Sequence, residues 1–509
     1  VAERVEFLLE VGFEEMPAPW LPGLTAQLRE RFLEAAGKER LEPQGAESFS
    51  TPRRLVLRAE VRCRQDDREE VAFGPALKVA KDASGKWTGA ALGFARKSGV
   101  KPEDLGEGVK DPTKPSERYL VFLRKVEGRE ARTVLAGLVP GLLRGLSFPK
   151  RMSWDAWLDD GKGALPFGRP IRWVVALLGG EVVPFTIYEL VAGARGPAIV
   201  TSGDTTRGHR FLPREGAGAP LRVSGFADLE KRLRGAFVVL RAEDRRRAIG
   251  EALKTAGGME DDHGLVSEWE DLAEHPAVVV GELPAEFRTL PREVLETVLV
   301  HHQKYIPLLE GGAVARFAAL TNTDGKAGKA IVRNMERVVA ARLRDAAFFW
   351  REDRRRPLED RTSDLAGVTF HQGLGTYLDK SKRLVSLVEE MRASGLLSGT
   401  ALESARLAAR LCKADLTTAM VREFPELQGI MGGLYLEAEG GVAPEVTAAL
   451  RWHYHPVSIE GDAAPAGRLS KAALPVFAAV SLADKLDTLV GHFGLGLEPS
   501  GSSDPFGLR

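Results

Sequence analysis

The apolar residues of this chain change their pattern once, near Asn322-Thr323-Asp324-Gly325, and that change limits the folds open to it. Beyond it, Lys329 to Trp350, Thr376 to Ala393, Leu402 to Phe424, Pro444 to His453 and Leu474 to Phe493 all read as helices. Before it, strands and helices mix. Val5 to Val11 is a short apolar run that predicts a strand, and Trp20 to Ala36 places Leu21, Leu24, Leu28 and Phe32 on one helical face. Leu55 to Val61 alternates as a strand does, and Ala90 to Ser98 predicts a short helix stopped by Gly99. Gly106 to Ser116 predicts an exposed loop before a strand over Tyr119 to Val126 and a helix over Arg132 to Leu146. Ile171 to Leu178 is a continuous apolar run, a buried strand, which Glu181 to Tyr188 answers across Gly179-Gly180 as a hairpin. Phe237 to Leu240, Ala277 to Leu283 and Arg316 to Leu320 predict further strands, and Ala242 to Ala256 a helix with a basic face. A chain of 509 residues exceeds a single core and implies about three domains. The fold class expected is α+β multidomain: a mixed α/β N-terminal part followed by an all-α part.

Charge narrows the function classes. The 71 Lys+Arg balance 71 Asp+Glu, so no large basic field pulls on nucleic acid, and any RNA partner must be met by local patches. The two cysteines, Cys63 and Cys412, are far apart and form no CxxC knuckle, which fits a reducing compartment. No run of about 18 apolar residues occurs and the N-terminus has no signal-peptide layout, so the expectation is a cytoplasmic protein with no membrane contact.

The motifs of common nucleotide and hydrolase sites are missing: no GxxxxGK[ST], no strand-linked GxGxxG, no GxSxG and no HExxH. Basic clusters beside aromatics are present instead. Arg53-Arg54 follows Thr51-Pro52, and Lys150-Arg151 lies between Phe148 and Trp154. Arg207 and Arg210 flank His209 beside Phe211, and Lys304 joins His301-His302 before Tyr305. The Arg354-Arg355-Arg356 run closes a basic stretch holding Phe348, Phe349 and Trp350. Guanidinium binds phosphate while an aromatic face stacks on a base, so these are candidate RNA contacts; the plainer reading is a solvated helix face with local ion pairs. His301-His302 point different ways and His453 and His455 alternate around Tyr454 on one face of a predicted strand; both pairs read as structural.

Lys413-Ala414-Asp415 inside a predicted helix, with Asp484 and Asp487 in a later one, resembles the HD phosphohydrolase fold, in which a His-Asp dyad helps hold a catalytic metal. Ala414 stands where that dyad has its His and offers no ligand, so the expectation is a degenerate site with no metal, its aspartates capping helices or pairing with Lys and Arg.

Taken in order, the motifs carry a wider resemblance. They are LLEVGFEEMP (Leu8 to Pro17), TPRRL (Thr51 to Leu55), FGP (Phe73 to Pro75), FPKRMSW (Phe148 to Trp154) and FGRPIRWVVALLGGEVVPF (Phe167 to Phe185). Then come TRGHRFL (Thr206 to Leu212), HHQKYIPLL (His301 to Leu309), NMERVVAARLRDAAFFWREDRRRPLE (Asn334 to Glu359), FHQGLGTYLDK (Phe370 to Lys380), CKADLTTAMVREFPELQGIMG (Cys412 to Gly432) and ADKLDTLVGHFGLG (Ala483 to Gly496), with DPFGLR near the end. The chain resembles the beta subunit of bacterial-type glycyl-tRNA synthetase over nearly its whole length. The resemblance implies an α2β2 enzyme in which a separate alpha subunit binds ATP, Mg and glycine, and the beta subunit recognises tRNA(Gly), with no catalytic residue and no cofactor in this chain. It implies a division into 1–135, an N-terminal α+β domain; 136–325, a region similar to the B3/B4 domain of phenylalanyl-tRNA synthetase; 326–497, a helical HD-like domain; and 498–509, a linker toward an anticodon-binding domain that the sequence does not include. Two other readings stay open: a metal phosphohydrolase in the helical part, and an editing hydrolase in the B3/B4-like region.

Overall fold

A computed structural model describes residues 3–499, less 83–84, 111–112, 115, 259–263, 326–327 and 457–468, together with Asp504 and Leu508. Most of the expected C-terminal linker therefore lies outside the described residues. The chain forms two compact units: Val1–Gly250 with Val266–Ala277 and Thr321–Asp324, and Glu251–Leu265 with Val278–Leu320 and Gly325–Arg509.

The first unit is built on a mixed sheet. Its strands are β1 (Arg4–Phe13), β2 (Gln44–Thr51) and β3 (Arg54–Arg62), and, beyond a small three-stranded sheet of β4 (Arg68–Ala76), β5 (Gly106–Val109) and β6 (Arg118–Val126), also β7 (Ala156–Leu158), β8 (Gly163–Ala164), β9 (Ile171–Leu178), β10 (Glu181–Val182), β11 (Thr186–Val191) and β12 (Ala194–Gly203). The main order is β2-β3-β1-β9-β12-β11-β7-β8, with β10 on β9. All pairs in it are antiparallel except β12 with β9.

Alternation along β1 decides what each face buries. Phe7, Leu9, Val11 and Phe13 pack with Leu24, Leu28 and Phe32 of the helix Leu21–Lys38 and with Leu135 and Val139 of the helix Ala131–Gly145. Leu8 faces the other way, into a core with Trp173, Val175 and the helix Phe226–Gly235. Glu10 and Gly12 share the parity of Leu8, so a carboxylate stands on this second, buried face.

The second unit holds a three-stranded sheet ordered Pro276–Glu282, Ala313–Asn322, Ile306–Glu310, and a set of helices. The helices Gly328–Asp353, Tyr377–Ala393, Gly399–Leu411, Ile430–Glu439, Pro444–Trp452 and Ala473–Gly494 contribute to one core, including Leu343, Leu384, Ala405, Leu450 and Val480. Thr376 caps its helix with a reciprocal pair of bonds to Asp379.

Five expectations need correction. Gly106–Val109 is a strand, not loop, because its glycines let the backbone lie against Val121 of β6: a Cβ on Gly108 would fall 2.9 Å from the Val121 side chain. The hairpin across Gly179-Gly180 forms only as far as Val182; Pro184 intervenes, and Thr186–Val191 pairs with β12 and β7 instead. Phe237 to Leu240 is irregular, its backbone N–H groups bonding to Leu233 and Glu274 carbonyls. Leu402 to Phe424 is broken at Leu411 by a short turn, Ala414–Thr417, before Thr418 caps the helix Ala419–Glu423; likewise His453 ends a helix and lies on no strand.

Candidate functional site

In the first unit, three of the motif segments, TPRRL, FGRPIRWVVALLGGEVVPF and TRGHRFL, converge on the LLEVGFEEMP segment that holds most of β1. Arg54, the first residue of β3, stands opposite Gly12 and turns its guanidinium onto the face that carries Glu10. Its Nη1 donates to Glu10 Oε1 at 2.8 Å and to the Arg207 carbonyl at 3.0 Å, and its Nε donates to Glu274 Oε1 at 2.9 Å. Thr206 also donates to Glu10 Oε1 (2.8 Å) and Thr51 to Glu274 Oε1 (2.6 Å), while among the described residues Glu10 Oε2, Glu274 Oε2 and Arg54 Nη2 are buried without a hydrogen-bond partner. Beside them His209 Nε2 lies 2.8 Å from Asn322 Oδ1, which also accepts from the His275 amide. The side chains of Glu10, Thr51, Arg54, Thr206, His209 and Glu274 are all buried. Burial raises the Glu10 carboxyl above its ordinary value even against the pull of Arg54. Burial acts on Glu274 as well, but Arg54 and the Thr51 hydroxyl outweigh it and hold that carboxyl low.

Above this network is a half-exposed rim. Glu14 and Glu15 face three arginines: Arg172 donates to Glu14 at 2.7 Å, Arg210 to Glu15 at 2.7 Å, and Arg53 lies 3.8 to 3.9 Å from both. Arg53 and Arg54 sit over the Trp173 indole at 5.7 and 5.4 Å, and Arg210 over Phe211 at 5.3 Å.

The candidate RNA-facing residues thus divide. Arg54, expected among them, is instead 0% exposed and committed to two internal carboxylates, so no outside phosphate reaches it. Arg53 is only 12% exposed, and Arg210 already has a carboxylate partner. Lys150, Arg151 and Arg207 are exposed; Arg151 and Arg207 each reach a backbone carbonyl. In the second unit Lys304 is exposed at a left-handed backbone position, Arg354 lies over Trp350, Arg355 reaches Glu352, and Arg356 is paired with Asp364.

The helical core of the second unit holds a second polar cluster. Lys413 Nζ donates to Asp484 Oδ2 at 2.8 Å and to His453 Nε2 at 3.0 Å, 3.8 Å above the Tyr454 ring. His453 Nδ1 donates to the Leu450 carbonyl, which leaves Nε2 as the acceptor. Lys380 Nζ lies 3.0 Å from Asp484 Oδ1 and 2.9 Å from Asp487 Oδ2, and Arg383 binds Asp487 as well. Burial and the neighbouring Lys413 push His453 down to about 3, so it is neutral. Burial acts upward on Asp484, but Lys413 and Lys380 overcome it and keep its carboxyl ionised. Asp415 receives the amides of Gly429 (2.5 Å) and Gly432 (3.1 Å) on Oδ2, its Oδ1 has no hydrogen-bond partner among the described residues, and burial pushes it up to about 6. Ala414 is buried beside it. The aspartates therefore hold two ammonium groups and a pair of amides. Among the described residues no three His, Cys, Asp or Glu side chains stand at metal-ligating spacing.

Glu10, Glu274, Lys380, Lys413 and His453 were not singled out as site residues by sequence reasoning. Lys413 was named only beside Ala414 and Asp415, and His453 was read as structural; Glu10 left a signal as an acid inside the apolar run Val5 to Val11.

Comparison with known proteins agrees with the convergence of these motifs. Residues 7–509 match the family described as glycyl-tRNA synthetase beta subunit. The chain is 38% identical to the glycine–tRNA ligase beta subunit of Desulfitobacterium hafniense (strain Y51), over 99% of this chain and 69% of that one. It is 40% identical to the beta subunit of Geobacter metallireducens (99% and 70%) and 36% identical to that of Bacillus subtilis (99% and 70%). With a family match that runs through both units, this chain belongs to the glycyl-tRNA synthetase beta subunit family.

Proposed function

We propose that this chain works as the tRNA-recognising beta subunit of a glycine–tRNA ligase, in the reaction ATP + glycine + tRNA(Gly) = glycyl-tRNA(Gly) + AMP + diphosphate. The observation that carries this reading is the family match over residues 7–509. Two features support the division of labour. The sequence has none of the ATP-loop motifs, and in both units the buried arginine and lysines are committed to internal carboxylates. The alpha subunit, in an α2β2 assembly, supplies ATP, Mg and glycine binding; this chain supplies RNA contacts through exposed arginines, and no residue here takes part in the chemical step. The enzyme works in the cytoplasm. No helix among the described residues is long and apolar enough to cross a membrane.

Two finer assignments belong to the same proposal. The region 136–325 is B3/B4-like, and the helical part is a degenerate HD-like domain in which Ala414 removes one metal ligand and Lys413 and Lys380 carry the positive charge. The ammonium on each oxygen of Asp484 supports this and argues against the phosphohydrolase reading.

The test is aminoacylation of tRNA(Gly) by this chain, by the alpha subunit, and by the two together. Charging by the pair alone is expected. Glycine-dependent pyrophosphate exchange by the purified chain, free of alpha subunit, would overturn the assignment.

A further inference from the structure

The longest helix of the second unit, Gly328–Asp353, has one face in the core through Val339, Leu343, Ala346 and Asp353. Its outer face carries Arg333, Arg337, Arg344 and Arg351, all exposed, with Phe348 among them at 50% exposure. The spacings of four, seven and seven residues keep these side chains in line. At 3.6 residues per turn the four arginines and Phe348 fall within an arc of about 60°. The acids of the same helix lie off that arc: Asp345 is exposed beside it, and the other three are engaged elsewhere. Glu336 accepts the Glu282 amide, Glu352 pairs with Arg355, and Asp353 is buried against Tyr435 and the amides of Ala419 and Met420. Among the described residues no carboxylate lies within 4.0 Å of any of the four guanidiniums, although most arginines in this chain have one; Arg342, on the same helix, reaches Glu423.

On a chain whose charges balance at 71 and 71, a row of unpaired arginines is a local concentration of charge. It is a straight row about 27 Å long at 1.5 Å per residue. Along that length a nucleic-acid strand presents about eight phosphates at 3.4 Å each. Arginine in every basic position suits phosphate, because the planar guanidinium donates two parallel N–H bonds to it. An exposed phenylalanine inside the row is a surface on which an unpaired base can stack.

We propose that this face of the helix Gly328–Asp353 is a docking surface for the sugar-phosphate backbone of a structured RNA, with Arg333, Arg337, Arg344 and Arg351 as phosphate contacts and Phe348 as a stacking platform. The proposal rests on the ligase reading above and names tRNA(Gly) as the RNA. It moves the RNA contact away from Arg356, which is held by Asp364, to the arginines before it.

The experiment measures binding of tRNA(Gly) to the full-length chain assembled with its alpha subunit, as a function of KCl. The variants are R333Q/R337Q/R344Q/R351Q, F348A, and R356Q as the control. Each true phosphate contact lowers the slope of log K against log salt by about 0.7 to 0.9 and costs about five- to eightfold in affinity at 0.1 M salt. The fourfold variant is expected to lose about three slope units and about three orders of magnitude in affinity at an unchanged thermal midpoint, with R356Q close to the unmodified protein. Unchanged slope and affinity in the fourfold variant, when the unmodified complex binds tRNA(Gly), overturn the docking surface and leave the ligase reading standing. RNA binding retained with loss of the alpha subunit on gel filtration overturns it in favour of a protein interface. Failure of the unmodified complex to bind tRNA(Gly) overturns the ligase reading and the docking surface together.

Discussion

Gly12 lies directly beneath the indole of Trp173, its register partner across β1 and β9: a Cβ at position 12 would fall 1.9 Å from the ring. No rotation of a methyl group relieves that overlap, so the ring or the strand must move. Gly12→Ala is expected to destabilise the first unit by about 1–3 kcal/mol or more, the usual range for overpacking. Trp173→Leu in the same chain should recover part of the loss. Urea unfolding of the two single variants and the double variant reads the coupling; strictly additive losses would show that the two positions do not share this space.

Arg54 and Arg53 make a contrasting pair. Arg54→Met leaves Glu10 and Glu274 buried without a countercharge, and such removals cost about 3–5 kcal/mol. Arg53→Met removes a looser partner from the half-exposed Glu14 and Glu15, where about 1 kcal/mol or less is expected. The Arg54 variant should also lose a pH dependence. Glu274 has its carboxyl held low in the fold, so it contributes stability above its unfolded value that disappears as pH falls through the folded one. Denaturant midpoints between pH 3 and 7 test both statements. Equal losses at positions 53 and 54 would contradict them.

Asp415 predicts the opposite sign. Burial raises its carboxyl from 3.8 to about 6, so folding favours the protonated form. Its contribution is fully present below its unfolded value and is lost as pH rises through about 6. Asp415→Asn keeps an oxygen to accept the Gly429 and Gly432 amides and removes the ionisation. The stability of this variant relative to the unmodified chain should therefore improve between pH 4 and 7. A flat difference across that range would mean that Asp415 is not desolvated in solution.

Lys413 and Asp484 should behave as a unit. Lys413→Met strips one of two ammonium groups from Asp484, and Asp484→Asn leaves Lys413 with neutral His453 and the Tyr454 ring. Each is expected to cost about 3–5 kcal/mol, and the double variant less than their sum, since neither charge is then left alone. Calorimetry of the four proteins measures the coupling, and an additive result would remove the pair from the stability of this core.

The legible part of the sequence was what is local. Trp20 to Ala36, Ala90 to Ser98 and Leu474 to Phe493 carry their period within their own residues, and the helices lie within a few residues of those ranges. The break after Leu411 was hidden, because the run is helical in composition and what bends it is Asp415 bonding to Gly429 and Gly432, 14 and 17 residues on. The site was legible as motifs and illegible as roles. Arg53 and Arg54 are the same residue type side by side, yet one lies on the rim and the other in the interior, because the carboxylates that hold Arg54 come from positions 10 and 274. Lys380 and Lys413 have no local sequence mark of burial, because the acids that hold them, Asp484 and Asp487, come 71 to 107 positions later.

The bond from Arg54 to Glu274 joins positions 220 residues apart, and the same unit takes in Asn322. During synthesis β1, β3 and β9 leave the ribosome long before the acid that completes the shell of Arg54 has been made. From the end of β9 at Leu178 to Glu274, at about 5–20 residues per second, that interval is on the order of 5 to 20 seconds. Throughout it the nascent sheet carries a guanidinium with one of its two carboxylates missing and a face it cannot yet seal. The order of translation thus makes the first unit of this chain a late closer, exposed to chaperones and proteases until residues 266–277 and 321–324 arrive.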